Sequence, residues 1–406
     1  MPETRMRPIR ETIPLDEALE LLLEACPPIE RTERVGLDDA DGRVAAREVV
    51  SAVDVPPFDR AAMDGYAVIA QDTFGAGRYE PRTLRCLETV YTGQAPMRRV
   101  EPGTCVEIAT GAPMPEGADA VVMVEETERT EDLVQVFTPV YPGQHVGRRG
   151  ADIPAGRAIV EPGTLLNPGR VGALAGAGVT VIEVYERPRV AVLSTGTEIV
   201  EPGEPLAPGQ VYDINRYTLA AVVRRHGGHP MPLPPAPDTL EALQAALERA
   251  LEADLIVFSG GSSVGERDLI LDVLARMGEP IFHGIAVKPG KPTVFGRIAG
   301  KPVLGMPGYP TSCLSNAYML LVPALRRMAR LPAYEPRTVR LPLARRIVST
   351  TGRHQFYTVR IADGAAHPAF KASGDITSLS RADGYIEIPA QVDIVEAGEI
   401  VEVKLL

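Results

Sequence analysis

SGGSSVGERD (Ser259 to Asp268), VKPGKP (Val287 to Pro292) and GMPGYPTS (Gly305 to Ser312) are three Gly-rich turns packed into 54 residues. The first and third follow short β-prone runs, LIVF (Leu255 to Phe258) and PVL (Pro302 to Leu304), and the second follows IFHGIA. A strand running into a Gly-rich loop is how an α/β protein offers backbone N–H groups to an anion at the carboxyl edge of its sheet. Lys288 and Lys291 add positive charge, stiffened by prolines on both sides, while Glu266 and Asp268 add carboxylates able to hold a cation. The combination points to phosphate or oxyanion chemistry. Neither the P-loop pattern GxxxxGK[ST] nor GxGxxG is present, which disfavours nucleotide hydrolysis and nicotinamide binding.

Working outward, the α/β pattern begins at Arg187-Pro188. Strands are expected at Arg189 to Leu193, His229 to Leu233, Leu255 to Phe258, Ile281 to Ala286, Thr293 to Arg297 and Val303 to Gly305. Helices are expected at Arg216 to His226, Thr239 to Leu251, Asp268 to Met277 and Thr311 to Met328. Strands alternating with helices predict a three-layer domain on a largely parallel sheet. LSTGTE (Leu193 to Glu198) ends the first strand: Ser194, Thr195 and Gly196 can bind phosphate and Glu198 a metal, or the loop is simply a polar turn. Asp213, in VYDINR, serves equally well as a helix N-cap. Ser259, Gly260, Gly261 and Ser262 form the next loop, and Asp268 can cap its helix, bind Mg2+, or both. Gly308, Thr311 and Ser312 bring N–H and hydroxyl donors to another helix start, framed by Pro307 and Pro310.

Before this domain lie an amphipathic helix (Leu15 to Ala25), a Pro-stiffened loop DVPPFDR, and a β-rich section with no convincing helix to about Val140. That section carries two polar loops, PPFDRAAMDGYAV with Asp64 and ATGAPMPEGADAVVMVE with Thr110. After a linker at Leu331 to Pro336, alternating residues predict a small β-barrel or sandwich. We therefore expect four domains: residues 1–52 with 141–186, elongated; a β-rich insertion, 53–140; the α/β domain, 187–330; and a C-terminal β-barrel, 331–406.

The net charge of −11 argues against general nucleic-acid or anionic-membrane partners. Apolar runs are too short for a membrane span, and the charged start MPETRMRPIRETIP lacks a secretory core. Four cysteines (Cys26, Cys86, Cys105, Cys313) without CxxC fit a reducing cytoplasm and small buried hydrophobes better than a zinc site. The six histidines show no HxH or HExxH spacing, and no Ser-His-Asp pattern is visible.

Taken together, PPFDRAAMDGYAV, IATGAPMPEGADAVVMVEE, STGTE, GQVYDINRYTLAA, SGGSSVGERD, VKPGKP, GMPGYPTS and SGDITSLSRADGYIEIP resemble the molybdopterin molybdenumtransferases, relatives of the gephyrin E domain. The resemblance covers nearly the whole chain. It implies an elongated homodimer whose site lies between the α/β domain of one subunit and the β insertion of the other. It also implies a reaction that consumes adenylylated molybdopterin and molybdate and releases AMP, helped by Mg2+, alongside other proteins of molybdenum cofactor biosynthesis. The matching positions are Asp64, Thr110, Glu198, Asp268, Lys288, Lys291, Pro307 and Pro310, with Asp238 where the family often has an acid and so a third metal ligand beside Glu198 and Asp268. Two positions depart from the family: Thr197 replaces a common acid, and Tyr309 a common Asn. A molybdopterin adenylyltransferase sharing the α/β fold, or a gephyrin-like dimeric scaffold, are the competing expectations.

Overall fold

The computed structural model describes residues 11–260 and 269–406, so Gly261, Ser262, Glu266 and Asp268 lie outside the described residues. The chain divides into two compact units, residues 1–33 with 185–406, and residues 34–184. The amphipathic helix α1 (Leu15–Ala25) belongs to the first of these: its Ala18, Leu22 and Ala25 are buried in the core that also holds Val190, Leu255 and Phe295.

The second unit is built on a six-stranded sheet. Its strands are β1 (Gly65–Val68), β2 (Arg82–Val90), β3 (Thr104–Ile108), β4 (Ala120–Met123), β5 (Thr127–Thr130) and β6 (Leu133–Val136), in the order β4-β1-β3-β2-β6-β5. Alternation in β6, with Val134 and Val136 buried and Leu133 and Gln135 exposed, is the period-two signature of a strand with one wet face. Only β2 and β3 run parallel; the other neighbours are antiparallel. A nine-residue helix, α2 (Pro168–Gly176), is capped by Asn167, whose side chain accepts from Arg170 N at 2.9 Å.

In the first unit, β7 (Arg189–Ser194), helix α3 (Asn215–Arg225), β8 (His229–Pro232), helix α4 (Leu240–Ala250), β9 (Leu255–Ser259), helix α5 (Leu269–Met277) and β10 (Gly278–His283) follow in turn. Next come the short β11 (Val287–Lys288), β12 (Val294–Ile298), β13 (Lys301–Met306), helix α6 (Pro310–Asn316) and helix α7 (Val322–Met328). The main sheet has the order β8-β7-β9-β13-β12-β10. Where the sequence predicts a largely parallel sheet, it is mixed. β8, β7, β9 and β13 are parallel, but β12 pairs antiparallel with both β13 and β10. The reason is connectivity: β12 and β13 are joined by the two residues Ala299 and Gly300, too short for the crossover a parallel pair needs. The parallel strands are apolar throughout (Val190 to Leu193, Leu255 to Phe258), as burial on both faces requires. One core lies on each face: Leu219, Val223, Leu320 and Leu325 on one, Leu243, Leu247, Val273 and Leu274 on the other.

The expected helix Thr311 to Met328 is interrupted by a wide π turn at Ala317–Leu321. Pro323 lacks the N–H that would bond one turn back, and the wider turn just before it absorbs that gap.

The C-terminal strands β14 (Thr338–Pro342), β15 (His354–Ala362), β16 (Ala365–Pro368), β17 (Gly384–Ile388) and β18 (Ile400–Leu405) form a second sheet in the order β11-β15-β17-β18-β14, with β16 on β15. Its edge strand β11 carries Lys288, which registers with Gln355. A loop of the α/β region is thus hydrogen-bonded into the C-terminal sheet. No helix among the described residues is long and apolar enough to cross a membrane.

Candidate functional site at the carboxyl edge of the sheet

Parallel strands end in register at Ser194, Ser259 and Met306, so their following loops emerge side by side. Thr195 N donates to Ser259 O at 2.8 Å, and Gly260 N to Met306 O at 3.1 Å. Gly260 has φ +103°, and a Cβ there would stand 2.2 Å from the Thr195 carbonyl oxygen. Only glycine lets these two loops come this close. The Ser194 and Ser259 hydroxyls lie 3.4 Å apart, both buried.

Beneath them, Ser194 Oγ donates to Asp213 Oδ1 at 2.7 Å, and Arg216 N donates to the same oxygen at 3.1 Å. Arg216 Nε lies 3.4 Å from Asp213 Oδ2, and the same guanidinium pairs with Glu201. Two residues on, Asn215 Nδ2 donates to Gly308 O at 2.7 Å, tying the start of α3 to the MPGYP loop. VYDINR is therefore the brace under two of the three loops, and the N-cap reading captures only the Arg216 N contact of Asp213.

Glu198 and Asp238 come together on one side. The loop after β8 runs beside STGTE, with Ala236 N donating to Ser194 O at 3.0 Å and Gly196 N to Ala236 O at 3.1 Å. Glu198 folds its carboxylate over Gly196, its oxygens 2.6 and 2.7 Å from where a Cβ would sit. Asp238 Oδ1 is buried without a hydrogen-bond partner. Burial, then the Glu198 charge, push the Asp238 carboxyl above its ordinary range; the Thr195 hydroxyl pulls the other way without reaching hydrogen-bonding geometry. A buried, unsatisfied carboxylate oxygen next to a second carboxylate is a donor set suited to a hard divalent cation. Among the described residues no group of three such ligands is assembled, and Asp268 lies outside them.

The lysine loop is held separately. Asn316, the last residue of α6, donates through Nδ2 to Gly290 O at 3.0 Å and to Thr293 Oγ1 at 2.6 Å. The first turn of α6 is held by the C-terminal region: Thr311 N donates to Ser373 O at 3.0 Å and Thr311 Oγ1 to Asp375 O at 2.8 Å. Pro310 opens that helix, Ser312 is buried in its first turn, and Tyr309 beside them is exposed. KPGKP therefore hangs from the far end of α6, about 10 Å from the MPGYP end. Lys288 Nζ donates to Thr350 Oγ1 at 2.7 Å.

Asp64 and Thr110 belong to the other unit, where they meet each other: Thr110 N donates to Asp64 Oδ1 at 2.7 Å. Sequence reading did not find Asn316, Thr350, Ser373 or Asp375 as supports. SGDITS was visible as a motif, but nothing in it said which loop it holds.

Three family profiles tile the chain: the MoeA N-terminal region (domain I and II) over residues 13–178, the "probable molybdopterin binding domain" over 191–327, and the MoeA C-terminal region (domain IV) over 340–406. The chain is 37% identical to molybdopterin molybdenumtransferase 2 of Mycobacterium tuberculosis, over 94% of this chain and 96% of that protein. It is 32% identical to the molybdopterin molybdenumtransferase of Nostoc sp., over 100% and 95% respectively. Among solved structures, the molybdopterin biosynthesis MoeA protein of Pyrococcus horikoshii superposes with a TM-score of 0.83 at 40% identity, covering 97% of this chain and 99% of that one.

Proposed function

Since the chain belongs to the MoeA family of molybdopterin molybdenumtransferases, we propose that it inserts molybdenum into molybdopterin during cofactor biosynthesis. In the finer reading, the substrate is adenylylated molybdopterin, molybdate is the metal source and AMP is released. The observation that carries this reading is the convergence at one sheet edge of Ser194, Thr195, Ser259 and Gly260 with the Glu198–Asp238 carboxylates. N–H and hydroxyl donors suit a pyrophosphate, and the carboxylates suit the cation that accompanies one.

Mg2+ would be held by Glu198 and Asp238, with Asp268 as the third expected ligand, and would supply charge neutralisation on the phosphates. Lys288 and Lys291 would attract the tetrahedral dianion, and the substrate itself supplies the thiolates, so no catalytic cysteine is required. Asp64 and Thr110 would complete the site from the β-rich insertion of a partner subunit in a homodimer. We read the C-terminal sheet as a barrel, and the protein as cytoplasmic, working beside other proteins of the same biosynthesis.

The test mixes purified protein, adenylylated molybdopterin, Mg2+ and either molybdate or tungstate, and quantifies AMP and metal-bound pterin. Molybdate-dependent AMP release is expected. Product formed instead from ATP and free molybdopterin would replace this reading with an adenylyltransferase.

A further inference from the structure

Two of the four cysteines stand apart from the chemistry above. Cys26 and Cys313 are sealed in the core of the first unit, and burial pushes both thiols up, Cys26 to about 12. Cys86 and Cys105 are in the second unit, on neighbouring strands β2 and β3. These strands run parallel, and the two cysteines are register partners. Register partners on adjacent strands point to the same face with Cα atoms about 4.8 Å apart, within the span a disulfide bridges. Both side chains enter one apolar cluster with Leu84, Val134 and Val136. Cys105 is fully buried, whereas Cys86 keeps 8% of its surface exposed. The ladder is irregular immediately after Cys86, between it and Thr89, so β2 has local room to adjust.

We propose that Cys86 and Cys105 are a redox dithiol that closes to an internal disulfide, with Cys86 meeting the oxidant and Cys105 resolving the intermediate. With hydrogen peroxide as oxidant, the Cys86 thiolate attacks one peroxide oxygen, the O–O bond breaks and hydroxide leaves. The Cys105 sulfur then attacks the Cys86 sulfenic acid, the S–S bond forms and the S–O bond breaks. Hydroxide and the cysteine protons leave as water. Two thiols and one peroxide give one disulfide and two waters, and the two electrons pass from sulfur to peroxide oxygen.

The surroundings support this division of roles. The Cys105 thiol donates toward Cys86 and is the largest influence bringing the Cys86 thiol down; burial opposes it, the Glu107 N–H and Arg129 assist, and the Glu107 carboxylate opposes. The same contact, then burial, pushes Cys105 up. Tyr66 of that cluster faces Arg129 and Glu107, and the Cys86 thiol donates to Glu88 O at 3.4 Å, a contact that favours its protonated form and opposes the lowering. A lowered thiol with slight access attacks, and a raised, enclosed thiol resolves.

The test treats the native full-length protein with hydrogen peroxide at pH 7, unfolds it in an alkylating agent and counts modified thiols by mass. The four free cysteines should fall to two, with a linked 86–105 peptide that dithiothreitol separates. Cys105→Ser should instead leave Cys86 as a sulfenic acid captured by dimedone, and Cys86→Ser should keep its three thiols. Four alkylated thiols in the treated wild type, or Cys86 carried to sulfinic acid without linkage, would overturn the proposal. So would dimedone capture at Cys105 in Cys86→Ser at the wild-type rate, since that would remove the assigned roles.

Discussion

Ser194 and Asp213 meet at 2.7 Å, the hydroxyl donating to a carboxylate that is almost wholly buried beneath the sheet edge. Asp213 also receives Arg216 N and faces the Arg216 guanidinium. Removing the carboxylate leaves Ser194 and a mostly buried arginine short of a partner. Asp213→Ala should cost about 3–5 kcal/mol. Asp213→Asn keeps an acceptor for Ser194 and, with Glu201 still pairing Arg216, should cost about 1–3 kcal/mol. Urea midpoints of the two variants check the order. Equal losses would mean that the charge, not the acceptor, matters.

Gly290 is the pivot of the lysine loop. Its φ is +113°, and a Cβ would stand 2.2 Å from Asn316 Oδ1. Asn316 cannot swing away without giving up both Gly290 O and Thr293 Oγ1. Gly290→Ala should therefore displace the loop, at a cost of on the order of 1–3 kcal/mol, and AMP release should fall at least tenfold at fixed molybdate. The complementary variant Asn316→Ala makes room. If the double variant Gly290→Ala/Asn316→Ala lost no less activity than Gly290→Ala alone, the steric account would fail.

These two positions show what the sequence disclosed and what it withheld. Strand-then-glycine patterns located the loops after Ser194, Ser259 and Met306, because a buried parallel strand is an unbroken apolar run and a glycine follows where backbones must approach. The antiparallel turn of β12 was hidden, since periodicity does not record strand direction. Asp213 was legible only as an acid at a helix start; that its carboxylate reaches back to Ser194 depends on a contact 19 residues away in the chain. The hold of Asp375 on Thr311 spans 64 residues, and that of Thr350 on Lys288 spans 62. No local pattern encodes such pairs.

Arg31 and Asp254 make a two-pronged pair, Nη1 to Oδ1 at 3.0 Å and Nη2 to Oδ2 at 2.8 Å, and Asp254 Oδ2 also accepts from Arg189 N at 2.8 Å. Burial would raise this carboxyl, but the Arg31 guanidinium and the Arg189 N–H outweigh it and hold it below its ordinary range. A depressed folded value contributes stability that is present above the unfolded value of about 3.9 and is lost as pH falls through the folded one. Asp254→Asn should lower stability by about 1–3 kcal/mol at pH 7 and flatten the acid limb below about pH 4. Urea midpoints at pH 7, 4 and 3 test this; an unchanged difference between wild type and variant across those values would count against it.

His226 governs the milder end of the same acid limb. Its ring is buried, both nitrogens lack hydrogen-bond partners, and it stands edge-on to Tyr334 at 5.0 Å and Tyr318 at 6.5 Å. Burial first, then the charges of Arg326 and Arg225, bring its pKa down from 6.5 to about 4. Above pH 6.5 the imidazole is neutral in both folded and unfolded chains, so its titration takes nothing from stability there. As pH falls from 6.5 toward 4, the unfolded chain takes up a proton that the folded chain refuses, and stability drops by on the order of 1–3 kcal/mol. His226→Phe keeps an aromatic ring against both tyrosines and removes the titration. Its urea midpoint should change less between pH 7 and pH 5 than that of the wild type, whatever the absolute cost of the substitution. Parallel curves for the two proteins over that interval would show that the histidine takes up its proton in the folded state, and that the cluster around Tyr334 opens to water.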